Sequence, residues 1–393
     1  MKIGRTISPA AAPIGMRSLF HGLIGIAQGR KYLESVEKEL KLRFGVKHVF
    51  LLSSGKAALM LILKALSVLH PEKDEVLIPA YTCFSVPSAI VKAGLKVALC
   101  DINTDTFDFN YQLLEESIGE KTLCVVPDHL FGIPADMDRI ATLCRAKGVF
   151  IVEDAAQAMG GSYRGRQLGT IGDVGVFSLG RGKNLTCGSG GVIITNSAQI
   201  AKKIREEYQR LRWPSPTENL KEFLKVVCID LFIRPSLFWF PAGISFLKLG
   251  ETIFYKDFPV KKLSGMQAGL LDNWQVRLCE SNEARRKSAR WFIDALYLEQ
   301  RSDEIPYLRL PILVHKRESR ESVLSLSRQT GLGISAMYPT PIHEIAELKE
   351  QFKGESFHAA REVSQKLLTI PTHQFVTHSD REKIAALGTY LCG

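Results

Sequence analysis

Four short motifs carry side chains able to do chemistry, and each sits where an apolar run of strand character ends. In SSGKAALMLIL, small residues turn the chain into a helix that starts at about Gly55. The first amide N–H groups of a helix lack intrahelical acceptors and the helix dipole is positive there, so Gly55 and Lys56 predict an anion site. The spacing is not that of a G-x-x-x-x-G-K-[ST] loop, and no G-x-G-x-x-G follows a strand. In VFIVEDAAQAMGG, two acids close a strand, which puts Asp154 at the sheet rim with Gln157 three residues on. A partly buried carboxylate there needs a cation or an N–H partner, the plain alternative being a helix cap. In GDVGVFSLGRGKNLTCGSGG, a strand delivers Ser178, and a Gly-bracketed loop then carries Arg181 and Lys183. A partly buried lysine has a depressed pKa, which leaves a neutral amine able to form a Schiff base. In PAYTCFSVPSAI, Cys83 and Phe84 belong to an aromatic and hydroxyl cluster that suits either core packing or the face of a planar ring.

A phosphate cradle, an acid, a semi-buried lysine and a flat apolar face together match the needs of pyridoxal phosphate chemistry. The lysine bonds the cofactor's aldehyde, and the acid keeps the pyridine nitrogen protonated so that the ring draws electrons from a neighbouring carbanion.

These motifs need a frame that brings strand ends to one edge. The first half of the chain supplies it by rotation of strand and helix. A strand is expected over 47–54, a helix over 55–66, strands at DEVLIPA and LKVALCDI around helical SVPSAIVKAG, then TLCVVPDHLFG, helical ADMDRIATLCRAKG, and strands VFIVEDAAQA, DVGVFSLG and GGVIITNS. The strands are Val/Ile/Leu-rich without strict alternation, as in a parallel sheet covered on both faces. The fold class is therefore α/β, with ligands expected at the strand C-terminal edge. An amphipathic helix over 197–211 starts at Ser197 or Asn196. Beyond 258 the pattern predicts one long helix over 264–296, a strand at YLRLPILV, a helix at RESVLSLSRQTG, a strand with a loop at GISAMYPTPIH and a last helix HAAREVSQKLLTI. Two domains follow: a large one over 1–257, with an apolar insertion at about 217–257, and a smaller α+β one over 258–393.

Composition narrows the function classes. With 393 residues, 46% apolar and 23% charged, the chain is an ordinary globular protein and not a disordered one. Lys and Arg exceed Asp and Glu by 51 − 41 = 10, which favours an anionic partner. The basic residues are spread along the chain, so no nucleic-acid face is expected. The eight cysteines form no C-x-x-C pair and no Cys/His cluster, so no metal site is expected, and they read as reduced, buried thiols of a cytoplasmic protein. The N-terminus reads as an ordinary start without a signal peptide. The stretch 226–250 is strongly apolar and aromatic, but Asp230, Arg234, Pro235, Pro241 and Lys248 interrupt it, so it holds no uninterrupted apolar run of about 18–20 residues to span a bilayer. It reads as a buried helical hairpin or subunit interface, the alternative being peripheral contact with the inner membrane face.

The chain resembles the DegT/DnrJ/StrS family of pyridoxal phosphate-dependent sugar aminotransferases, of the aspartate aminotransferase (fold type I) superfamily. SSGKAAL is similar to the family's SGTAAL, IPAYTCFSVPSAIVKAGLKVALCDINTDTFDFN to its P-A-F-T-F-x-A-T-x-N-A-I and D-I-D-x-x-T-F segments, and HLFGIPADMDRI to H-L-Y-G-x-P-A-D-M-D. VEDAAQAMGGSYRGRQLGTIGDVGVFSL followed by GKNLTCGSGG is the most diagnostic match. The resemblance implies pyridoxal 5'-phosphate as cofactor and Lys183 as the catalytic Schiff-base lysine. It implies that Asp154 meets the pyridine nitrogen, Gln157 approaches the phenolic oxygen, and Ser178 with the Gly55–Lys56 amides holds the phosphate. It implies an amino donor, glutamate in most of the family, a keto-sugar acceptor carried on a nucleotide, and a homodimer. Tyr338 and His343 resemble a family loop near the substrate.

The chain departs from the family at several points. Lys56 replaces a threonine. Cys83 stands at the aromatic stacking position, where Phe84 or the thiol itself would meet the ring. Val260 replaces the asparagine that reaches the partner subunit's cofactor phosphate, and Lys262 stands at the arginine position of the same segment. The 226–250 stretch replaces a glycine- and tyrosine-containing loop, which keeps open a lipid-linked sugar at the membrane, and the altered trans phosphate site keeps open a non-catalytic, cofactor-binding regulator. Dehydratase relatives carry histidine at the lysine position, so Lys183 argues against dehydration.

Overall fold

The computed structural model describes residues 3–244, 250, 252–302 and 304–391. Helices α1 (Met16–Ala27) and α2 (Gly29–Phe44) precede β1 (His48–Leu52), α3 (Gly55–Leu69), β2 (Glu75–Pro79), α4 (Ser85–Ala93), β3 (Lys96–Cys100), α5 (Tyr111–Ser117), β4 (Thr122–Val125), α6 (Met137–Ala146) and β5 (Phe150–Asp154). A two-stranded ribbon, β6 (Ser162–Tyr163) and β7 (Arg166–Gln167), leads to β8 (Val174–Ser178) and β9 (Gly191–Thr195). Helices α7 (Ala198–Gln209), α8 (Pro216–Phe232), α9 (Trp239–Ala242), α10 (Gly265–Gly269) and α11 (Trp274–Ala295) follow. The C-terminal part holds β10 (Arg309–Leu313), α12 (Arg317–Thr330), α13 (His358–Lys366), β11 (Leu367–Pro371) and α14 (His378–Ala385).

The central sheet has the order β1-β9-β8-β5-β4-β2-β3. β3, β2, β4, β5 and β8 are parallel, with Cys124 facing Phe150 and Val152 facing Val174 in register. β9 runs antiparallel to both β8 and β1. Six C-terminal strand ends therefore share one edge, and the β8–β9 loop returns along it. Successive residues feed opposite faces. Leu52, Ile78 and Ile193 pack with α3 on one side, while Leu51, Phe177 and Ile194 pack with α2 and α11 on the other. α3 is apolar nearly all round and buries nine residues, so it is a core helix; burying one such leucine stabilises by roughly 2 kcal/mol. Ser54 and Ser197 cap α3 and α7 through their hydroxyls.

The C-terminal part differs from expectation in three places. The single helix expected over 264–296 is two: α10 begins on a Ser264–Gln267 capping box, and α11 restarts after Asn273, whose φ of 54° is left-handed. A side chain that tolerates this conformation permits the break. The last expected helix stops at Lys366, because Leu367–Pro371 is fully buried and pairs antiparallel with β10. GISAMYPTPIH forms no strand; it makes one bridge, Ser335 to Thr369. The described part of 226–250 is not a buried hairpin either, since Leu231 and Phe240 are exposed; residues 245–249 lie outside the described residues. Cys100, Cys124, Cys144 and Cys187 are buried as expected, but Cys228 and Cys279 are exposed. Among the described residues no helix is long and apolar enough to cross a membrane, and no His/Cys/Asp/Glu group is placed to hold a metal.

Candidate active site

At the start of α3, the Ala57 N–H is taken by the Ser54 hydroxyl (3.2 Å) and the Ala58 N–H by the Ser54 carbonyl (3.0 Å). The Gly55 and Lys56 amides keep no protein acceptor among the described residues and point out of the helix end. Ser178, the last residue of β8, closes this cradle. A Cβ on Gly55 would lie 2.9 Å from the Ser178 Cβ and 3.1 Å from its Oγ, so only glycine leaves the space open. The Lys56 side chain turns away: its ammonium lies over the rings of Tyr255 (4.8 Å) and Phe258 (4.7 Å), and burial lowers its pKa. Any anion contact of Lys56 is thus through its backbone.

Asp154 ends β5 with its carboxylate accepting the Ala156 N–H (3.0 Å). It is buried, and burial raises its pKa against the opposing pull of that N–H and of the Lys183 charge. Asp128, at the end of the neighbouring strand, bridges Asp154 backbone to backbone. Its carboxylate accepts the Thr82 hydroxyl (2.7 Å), and burial together with the Asp154 charge pushes its pKa up. Two buried carboxyls side by side disfavour double ionisation, so the pair invites a cation or a shared proton.

Glu153 points to the other face, as strand alternation requires. It is fully buried and accepts from His129 Nε2 (2.9 Å), Gly169 N, Ile171 N (2.8 Å) and Gly172 N (3.0 Å). Burial alone would push it up; the His129 and backbone donors outweigh that and hold it below the usual carboxylate range. The Ala135 N–H donates to His129 Nδ1 (3.1 Å), which puts the imidazole proton on Nε2, toward Glu153. The His129 N–H in turn donates to the Asp154 carbonyl (3.1 Å), so this buried network anchors the backbone under the acid pair.

Lys183 lies in the β8–β9 loop, half-buried, where Gly182 turns the chain at φ +71°. Its positive charge acts on both Asp128 and Asp154. The loop is tied down from α11. Asn282 accepts from Asn184 (3.0 Å) and donates to the Met159 carbonyl (2.9 Å). Arg285, wholly buried, donates to the carbonyls of Leu308 (2.7 Å), Ala11 (2.9 Å) and Lys183 (3.4 Å). Burial pulls its pKa down to about 9.

Gln157 donates to the Tyr338 hydroxyl (3.0 Å) and accepts the Phe131 N–H (3.2 Å). Tyr338 is buried at φ +53°, and its ring lies parallel to Phe84 (6.4 Å) and near Tyr81 (5.6 Å). Cys83 adjoins the Tyr338 hydroxyl. The structure thus gathers Gly55, Lys56 and Ser178 at one point, and Cys83, Phe84, Asp154, Gln157 and Tyr338 around the strand ends beside Lys183. His343 stands apart: its ring meets Phe357 (5.0 Å) and Arg361 (3.4 Å). Sequence reasoning missed Asp128 and its Thr82 partner, although PDHLFG and PAYTCF both end strands. It also missed Glu153, His129 and Arg285, which look like surface residues in the sequence.

The donor set fits pyridoxal 5'-phosphate. Two free helix-end amides and a hydroxyl form an anion cradle, a buried acid pair can face a protonated ring nitrogen, and one amine lies within range of the acids.

The comparisons agree. A model of the DegT/DnrJ/EryC1/StrS aminotransferase family matches residues 25–217 and 261–387. The chain is 26% identical to the UDP-N-acetyl-3-dehydro-alpha-D-glucosamine 3-aminotransferase of Acidithiobacillus ferrooxidans, over 92% of this chain and 87% of that one. It is 34% identical to the GDP-perosamine synthase of Caulobacter vibrioides, over 44% of this chain and 47% of that one. For several such curated relatives the chain spans about half their length. The fold is that of Helicobacter pylori PseC, an aminotransferase involved in the biosynthesis of pseudoaminic acid, with a TM-score of 0.79, 16% identity, and coverage of 98% of this chain and 99% of that one. The match to the family model spans both halves of the chain and every motif built above, and the chain belongs to the DegT/DnrJ/EryC1/StrS aminotransferase family.

Proposed function

We propose that the protein transfers an amino group from an amino acid, glutamate first, to a keto-sugar carried on a nucleotide, in the making of an amino sugar for a surface polysaccharide or related glycoconjugate. The observation that carries this reading is the convergence of three parts on one sheet edge: the Gly55–Ser178 anion cradle, the buried Asp154, and Lys183 on the loop between them. The relatives' names, a UDP-sugar 3-aminotransferase and a GDP-perosamine synthase, support the acceptor class.

In this reading, the Gly55 and Lys56 amides and the Ser178 hydroxyl hold the cofactor phosphate. Asp154 holds the ring nitrogen protonated, with the Asp128–Thr82 pair beside it. Gln157, oriented by Tyr338, faces the phenolic oxygen. Pyridoxal phosphate supplies the electron sink that lets a carbon next to nitrogen lose a proton. Lys183 Nζ takes that proton as general base and delivers it to the cofactor's C4′ as general acid; in the second half-reaction it moves a proton the opposite way, from C4′ to the sugar carbon. Phe84 and Tyr338 wall the site with buried rings and exclude water from it. We place the cofactor-binding part in 1–257 and the smaller part in 258–393. We also read the protein as a cytoplasmic homodimer. Light scattering that shows a fully active monomer defeats the dimer reading.

The test is spectroscopic. Purified protein loaded with cofactor absorbs near the visible edge, glutamate bleaches that band, and a keto-sugar nucleotide from a screened panel restores it. A Lys183→Ala variant that keeps the band and the activity refutes the assignment.

A further inference from the structure

Two neighbouring helices carry several large apolar side chains outward. α1 turns Ser18, Leu19, Gly22 and Gly25 toward the protein and leaves Met16, Phe20, Leu23 and Ile26 exposed at 76, 62, 47 and 42%. This reverses the usual arrangement of a surface helix. The small inward face lets backbone meet backbone: a Cβ on Gly25 would lie 2.3 Å from the Gly265 carbonyl oxygen, and one on Gly269 2.2 Å from that of His21. α8 packs beside α1 through Phe223, Val226 and Asp230, whose carboxylate accepts the Ile14 N–H (2.7 Å). The opposite stripe of α8, at spacings of four, four and three, is Leu220, Leu224, Cys228 and Leu231, all exposed. Phe240 of α9, half exposed, stacks on Phe232 and extends the same apolar surface. Folded chains rarely leave so many large apolar side chains together in water without a partner.

Two facts identify the occupant. The patch is edged by cations on a chain of net charge +10: Lys221 beside the α8 stripe and Arg234 just past its end have no ion pair among the described residues, while Arg17 on α1 pairs with Asp272 (2.8 Å) and Lys225 with Glu222 (3.3 Å). Nearly all of the patch also lies outside the residues that match the family model, 25–217 and 261–387; Ile26 is the exception. The family model therefore does not describe this surface.

We propose that the α1–α8–α9 face docks on an anionic lipid bilayer, its apolar side chains at the headgroup–acyl boundary and its cations among the lipid phosphates. The helices lie in the plane of the membrane surface and do not cross it. This inference stands independently of the aminotransferase reading.

Vesicle flotation tests it. The intact protein is mixed with vesicles of phosphatidylcholine alone or of phosphatidylcholine with phosphatidylglycerol. Wild type floats with the mixed vesicles, and high salt weakens the binding. A Phe20→Glu/Leu224→Glu variant alters only exposed positions and binds at least about tenfold less. Its melting temperature and cofactor spectrum report that the fold survives. A Lys221→Glu/Lys225→Glu variant keeps the apolar surface and loses the preference for the anionic vesicles. Equal binding by wild type and the Phe20/Leu224 variant, or no binding to either vesicle, overturns the proposal. So does a drop in oligomeric state of that variant by light scattering without lipid, which assigns the patch to a second copy of the chain.

Discussion

Glu153 and Asp154 are adjacent acids with opposite roles, and Glu153→Gln separates them. One Glu153 oxygen accepts from His129 Nε2 and Gly169 N, the other from Ile171 N and Gly172 N. A glutamine amide has one oxygen and one NH2, so in either orientation its NH2 faces two donors, the buried His129 and Gly169 or the part-buried Ile171 and Gly172. His129 cannot relieve the conflict. To accept at Nε2 it must carry its proton on Nδ1, where the Ala135 N–H already donates. Two such donors without acceptors cost about 1–3 kcal/mol each, so a net loss of about 3 kcal/mol is expected after relaxation. With an unfolding entropy of roughly 2.1 cal/mol/K per residue, or about 0.8 kcal/mol/K for this chain, that lowers Tm by about 4 °C in a one-step transition. The acid limb changes too. Glu153 is depressed in the folded state, so it contributes stability present above its ordinary value of about 4.3 and lost as pH falls through its folded value. The variant therefore loses less of its remaining stability on acidification. The assay is thermal melting of both proteins from acid to neutral pH, with cofactor absorbance as the control. A variant that melts within about 1 °C of wild type at neutral pH refutes the four-donor account.

Three further outcomes follow from the site. Gly55→Ala places a methyl 2.9 Å from the Ser178 Cβ and narrows the cradle, so cofactor titration gives a Kd about ten- to hundredfold weaker at unchanged fold; an unchanged Kd removes the phosphate from that position. Asp154→Asn cannot hold the ring nitrogen protonated, so kcat falls by about 10²–10⁴-fold while the visible band persists, and near-wild-type turnover contradicts the assignment. Asp128 is pushed up to about 7 by burial and by Asp154, so in cofactor-free protein its contribution to stability is full below the unfolded value of about 3.9 and is lost as pH rises through about 7. Melting temperatures between pH ~4 and ~7 decline less in Asp128→Asn, and parallel profiles for the two proteins would show that the pair is not strained.

Local patterns carried much of this protein into view. The α/β alternation, the cap at Ser54, and the four motifs at strand ends are short-range features: each depends on residues within a turn or a strand of one another. That is why Gly55, Asp154, Ser178 and Lys183 could be named before any coordinates, and why one strand order brings them to a common edge. Elements set by competition with distant partners were not legible. Leu367–Pro371 continues a helical pattern yet becomes a strand because β10 supplies its hydrogen bonds.

The sequence by itself determined the fold class and the chemistry, because residue type and spacing decide what a strand end or a helix start can bind. Only the tertiary structure decided which buried groups meet. Thr82 reaches Asp128 across 46 positions, Gln157 reaches Tyr338 across 181, and Arg285 clasps the carbonyls of Ala11, Lys183 and Leu308. The direction of α1's apolar stripe is likewise set by packing: its glycines let α10 approach from the other side. Burial is a property of the packed whole: the same leucine or carboxylate is core, site or surface according to what the rest of the chain places against it.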